Sequence, residues 1–224
     1  MQTELVNQET SPLQSPNLIG FLHSPVEHIK RLKHKAPIFK PFIIVCIVSM
    51  VYTGVISYLS VPDQSLIEAS NAIHSSLPRL KLTTSIIAGL FSIIPLFFSL
   101  LIMAILLKLF LVFTHKELSF KTIFSLNIHM SAVTLLASTI NLLINGITWS
   151  GQYLSYTNLG RLFINNSIWH VLFMALDPFV IWVNVLLAIG LHYLAGSTKV
   201  QIVIVISIVF LFSIAANTIS LIKL

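Results

Sequence analysis

Beyond residue 41 the chain alternates long apolar stretches with short polar breaks, and the charges fall almost entirely in the breaks. No charged residue lies between Lys81 and Lys108, and the same holds from Lys121 to Arg161 apart from neutral His129. A helix rises 1.5 Å per residue and the hydrocarbon core is ~30 Å thick, so about 20 apolar residues cross it. The pattern predicts five such helices, over residues 42–61, 83–113, 122–147, 178–195 and 200–222. The breaks between the second and third and between the fourth and fifth are short, which makes those pairs antiparallel neighbours. Pro95 removes one backbone hydrogen bond from the second helix and is expected to kink it. The fold class is therefore all-α, a polytopic integral membrane bundle of five transmembrane helices.

The pattern differs ahead of the first span. Residues 1–18 are polar, with Ser11-Pro12 and Ser15-Pro16, and bury too little surface to order a tail that is expected to be cytosolic. Residues 19–41 form a juxtamembrane segment, and 42–224 the transmembrane domain. Within the segment, Ser24-Pro25-Val26-Glu27 has the form of a capping box with proline at the first helical position. Val26, Ile29 and Leu32 then recur every third residue, while His28, Lys30, Arg31 and Lys33 lie elsewhere around the helix. This predicts a short amphipathic helix with a basic face. Lys30, Arg31, Lys33 and Lys35 are candidate membrane-surface residues, either meeting an anionic inner leaflet or serving only as the positive flank that sets topology. No apolar run precedes Phe42, so no cleaved leader is expected and the first span doubles as the targeting signal.

Composition strengthens the membrane reading: 56% of residues are hydrophobic and 9% charged, against about 25% charged in a soluble domain. The net charge of +6 could suggest nucleic acid, but the basic residues flank apolar segments and no nucleic-acid partner is expected. With the N-terminus inside, Lys30, Arg31, Lys33, Lys35, Lys40, Lys108, Lys116, Lys121 and Lys199 are cytosolic; only Arg79, Lys81, Arg161 and Lys223 are outside. That asymmetry places the N-terminus in the cytoplasm and the C-terminus outside a cell membrane crossed several times. Tyr58, Trp149, Tyr153, Tyr156 and Trp169 then gather at the outer interface, and Lys108 can snorkel to the inner headgroups. Cys46 is the lone cysteine and excludes an intramolecular disulfide.

The third span carries the clearest polar pattern. Asn127, Ser131, Thr134, Ser138, Asn141 and Asn145 alternate spacings of four and three, which places them on one face about 27 Å long. Such a stripe faces other helices or water rather than lipid. One reading is a helix-packing seam, partnered by the small residues Ser49, Thr53, Ser57 and Ser60 of the first span and Ser85, Gly89, Ser92 and Ser99 of the second. The other is a polar pathway for a solute, although no acidic residue on this span serves a cation or proton. Asp177, ahead of Pro178, reads as a helix N-cap, or as an intramembrane charge if the helix begins near Trp169; Asn184 follows one heptad later. The eight histidines show no metal-ligand spacing, and no nucleophile, zinc or phosphate-loop motif is present. Neither enzymatic activity nor a metal or other cofactor is expected. Asn165-Asn166-Ser167 fits a glycosylation sequon.

The order of these features resembles the Yip family of five-span membrane proteins, named for interaction with Ypt/Rab GTPases, and in particular its bacterial branch. The resemblance is carried by Phe21-Leu22-His23-Ser24-Pro25 before the basic helix, by Lys116-Glu117-Leu118-Ser119-Phe120-Lys121 entering the third span, and by Asp177-Pro178-Phe179-Val180-Ile181-Trp182 running to Ala188-Ile189-Gly190-Leu191. It covers residues 19–222. The D-L-Y-G-P stretch of eukaryotic relatives is absent, so the resemblance implies the fold without GTPase binding. For a bacterial member it implies a non-catalytic accessory or assembly protein whose partners are the lipid bilayer and other membrane proteins, including subunits of ABC-type efflux complexes that protect against toxic peptides. A small-solute transporter or channel using the stripe, and a stand-alone immunity protein, are the alternatives. The sequence leaves the oligomeric state open.

Overall fold

A computed structural model describes residues 15–60, 67, 76–148, 155–163, 168–174 and 176–222, and every regular element among them is helical. The order is α1 (Leu18–His23), α2 (Pro25–Leu32), α3 (Phe39–Ser60), α4 (Leu77–Phe91), α5 (Ile93–Phe113), α6 (Phe120–Thr148), a 3-10 turn (Leu159–Leu162), α7 (Ile168–Met174), α8 (Pro178–Ala195) and α9 (Lys199–Ile222). The tail to residue 14, Trp149, Tyr153, the Asn165-Asn166-Ser167 sequon and Lys223 lie outside the described residues.

Four stretches, Phe39–Ser60, Leu77–Phe113, Phe120–Thr148 and Pro178–Ala195, are long and apolar enough to cross a membrane. The fifth predicted span falls in α9, of which Lys199–Ala215 is apolar but shorter. Large side chains such as Phe91, Phe98, Leu106, Val203 and Phe212 stand exposed on these helices. In water a surface of this kind would aggregate; in hydrocarbon it is the surface a bundle must present. α4 and α5 form one rod interrupted at Ser92, whose N–H reaches the carbonyls of both Ala88 and Gly89. Pro95 has no N–H to return to the carbonyl of Phe91 four residues earlier, so the regular ladder loosens there.

The core is built around one end of α6. Residues Thr122 to Met130 are all buried, because α1, α2, α3, α5 and α8 pack around that end. Burial of Phe21, Ile29 and Leu32 is complete, and the Phe21 ring centre lies 4.9 Å from that of His129. The apolar face of the basic helix is thus spent on protein rather than on lipid. The capping-box pattern is not realised either. Ser24 makes no side-chain cap, and Glu27 pairs with Arg31 one turn further on instead of turning back.

Glycine sets two close approaches. A Cβ on Gly89 would lie 2.7 Å from the Met50 carbonyl oxygen, so α3 and α4 meet backbone to backbone. A Cβ on Gly20 would lie 2.0 Å from His28 Nε2, which seats α1 on the ring of α2. The small residues of the first two spans therefore serve each other at Gly54, Ser85 and Gly89 more than they serve the stripe of α6. At the α2 end of the bundle, α5 and α8 each close at a left-handed residue. Lys116 N–H bonds to the Leu111 carbonyl and Ser197 N–H to that of Leu191, around left-handed His115 (φ 54°) and Gly196 (φ 60°).

Candidate functional site

The six stripe residues do not form one site. Asn127 is buried at the core end of α6, and neither of its side-chain polar atoms has a hydrogen-bond partner among the described residues. Ser131 donates to the Ile128 carbonyl on its own helix at 2.6 Å, Thr134 is exposed, and Ser138 is half-buried. Among the described residues, the hydrogen bonds that tie the stripe to other elements lie at its far end.

That junction is centred on Asn141. Its Oδ1 accepts the backbone N–H groups of Tyr156 at 2.6 Å and Thr157 at 3.2 Å, while its Nδ2 donates to the Thr157 hydroxyl at 3.0 Å and to the Ala137 carbonyl at 3.1 Å. The Thr157 hydroxyl in turn donates to Asp177 Oδ2. Asp177 Oδ1 accepts the Phe179 N–H at 2.7 Å, as an N-cap followed by Pro178 at the first helical position. One turn along α6, Asn145 Nδ2 donates to the Asn141 carbonyl at 2.7 Å. An asparagine, a threonine and an aspartate from three separate segments thus clasp α6, the irregular 155–157 stretch and the start of α8. Sequence reasoning missed Thr157, which stands in a polar loop with no period to mark it.

A cavity of about 210 Å³ opens beside the clasp between α6, α8 and α9. Thr134, Asp177, Asn184 and Ser213 contribute its polar lining, and Val180 and Phe210 belong to its apolar walls. It joins three of the residues that the sequence singled out. Asn184 is bonded back to the Val180 carbonyl at 3.0 Å, leaving its amide oxygen as the remaining acceptor.

The basic residues separate at the opposite end. Lys30 Nζ lies 4.6 Å from the Tyr193 ring centre, where the quadrupole attracts it, and Arg31 is held by Glu27. Lys33 and Lys35 are exposed. His28 Nδ1 accepts the Asn17 N–H at 3.3 Å, which fixes the neutral tautomer with its proton on Nε2. Burial holds the His28 pKa below its ordinary value, and the Arg31 charge pushes it the same way.

The chain is 24% identical over 235 aligned positions to the membrane protein YknW of Bacillus subtilis (strain 168), with 98% of each chain covered. No solved structure gives a significant match. The Yip1 domain matches residues 19–219, from α1 through most of α9 and so across the whole helical assembly, and the chain belongs to that family of membrane proteins.

Proposed function

We propose that the protein is a non-catalytic accessory of the cell membrane that assembles with other membrane proteins, specifically with subunits of an ABC-type efflux complex protecting against toxic peptides. The observation that carries this reading is the clasp. The polar groups best placed to line a route, Asn141 and Asp177, are bonded to one another's neighbours and to backbone, which supports a packing role for the stripe. Asn127, at the opposite end of the stripe, is sealed in the core end instead. Meanwhile α3, α4, α5 and α9 offer apolar side chains outward, the surface through which a lipid-embedded partner is met. Five spans, with α9 as the fifth and the N-terminus cytosolic, complete the proposal. A cysteine at Ser11 in a variant lacking Cys46 is then protected from impermeant reagent in intact cells.

Purification in mild detergent followed by identification of co-purifying proteins tests the role. An ABC permease or ATPase subunit in stoichiometric yield, retained in an Asp177→Asn variant, is the expected outcome. A protein that purifies alone and moves a solute across reconstituted liposomes overturns it in favour of a transporter.

A further inference from the structure

A second, wider concavity lies at the α2 end of the bundle, away from the clasp. It measures about 780 Å³ and is bounded by the turn after α2, the α5–α6 hairpin and the end of α8. Three ammonium groups line it, Lys33, Lys108 and Lys116, beside His115 and a single carboxylate, Glu117. None of the three lysines is ion-paired among the described residues. Lys108 is half-buried on α5, more than a turn inside the helix end, and Lys108 Nζ donates to the Leu118 carbonyl at 2.8 Å. That bond uses one of its three protons and leaves the charge without a counter-ion. The N-terminus of α6 opens on the same hollow at Ser119, whose Oγ accepts the Thr122 N–H at 3.1 Å, and adds the positive end of a 29-residue helix.

The walls are as informative as the floor. Val112 and Leu118 line the hollow beside the cations, and Val112 is exposed on the side that α5 turns to hydrocarbon. A ligand that fits carries a phosphate at the depth of the lipid headgroups and an apolar portion running along α5. We propose that this hollow binds the headgroup of an anionic phospholipid, with Lys33, Lys108 and Lys116 around its phosphate. The shared chemistry is a phosphate anion, which a soluble phosphate could also supply; the apolar wall and the half-buried Lys108 favour the lipid. This site is independent of the accessory role proposed above.

Native mass spectrometry of the full-length protein in a neutral detergent tests the site, with phosphatidylglycerol, phosphatidylcholine and inorganic phosphate added in separate titrations. Phosphatidylglycerol is expected to remain bound where phosphatidylcholine dissociates. Replacing Lys33→Gln and Lys116→Gln, both on turns outside the core, is expected to weaken phosphatidylglycerol binding about fivefold for each cation removed, or ~1 kcal/mol at an anionic surface. Exposed Lys35→Gln, which does not line the hollow, leaves binding unchanged. Where the double variant does not fold, Lys116→Gln alone carries the measurement. Equal retention of the two lipids, or undiminished phosphatidylglycerol affinity in the lysine variants, overturns the site. Displacement of phosphatidylglycerol by inorganic phosphate at comparable concentration overturns the lipid as its occupant.

Discussion

Leucine at position 141 and leucine at position 127 are expected to differ in effect, the first destabilising and the second not, although both asparagines sit on one face of α6. At 141 the substitution deletes two bonds accepted from the Tyr156 and Thr157 backbone and one donated to the Thr157 hydroxyl. Bonds between elements of membrane proteins average ~0.6 kcal/mol, so three of them come to ~2 kcal/mol. Stranded buried donors cost about 1–3 kcal/mol each, but Tyr156 and Thr157 are half-buried and water recovers part of that cost. The expected loss is roughly 2–3 kcal/mol. At 127 there is no bond to lose, because both polar atoms are buried without a partner among the described residues. Leucine there replaces a desolvated amide with hydrocarbon of similar size, so the change is about zero or stabilising by ~1 kcal/mol. Thermal unfolding of both variants in one detergent, followed by helical circular dichroism, measures the difference. A loss at 127 equal to that at 141 would refute the bond-by-bond reasoning and restore the stripe as one uniform seam.

Asp177→Ala removes both the cap on Phe179 and the acceptor of Thr157, for an expected loss of roughly 2–3 kcal/mol, whereas Asp177→Asn keeps the cap and loses about half as much. Equal damage from the two in a folded protein would make the charge itself the requirement. Gly89→Ala is expected to destabilise by about 1–2 kcal/mol, since the clash with the Met50 carbonyl outweighs the gain in helix propensity. Gly146→Ala meets nothing within 4 Å and is expected to stabilise by up to ~1 kcal/mol; unfolding midpoints of the same sign for both would disprove the α3–α4 contact. The lowered pKa of His28 means that the unfolded segment takes up a proton more readily than the folded one. Its contribution is therefore fully present above about pH 6.5 and is lost as pH falls from there through the lower folded value. Hydrogen exchange over residues 18–32, corrected for intrinsic rates, should lose protection on acidification in the wild type and much less in His28→Gln. Protection independent of pH in the wild type would remove His28 from the contact.

The all-helical membrane class was legible in the sequence because it depends on length and charge exclusion alone: Lys81 to Lys108 is too long and too uncharged for another solvent. Family membership was legible for a related reason, since anchors such as Phe21-Leu22-His23-Ser24-Pro25 and Asp177-Pro178 stand out within apolar filler. Periodicity also drew the stripe and the amphipathic helix. What periodicity cannot carry is the identity of the opposing surface. It gave Ile29 and Leu32 an apolar neighbour without saying whether that neighbour was lipid or the core, and only tertiary packing against α6 and α8 chose protein. It likewise put Asn127 and Asn141 on one face, but the 155–157 stretch covers only the end that holds Asn141. Thr157 and the lysines of the phosphate hollow come together from segments far apart in the chain. Side-chain chemistry fixes what each group can bond to, and only the three-dimensional path of the chain brings its partner within reach.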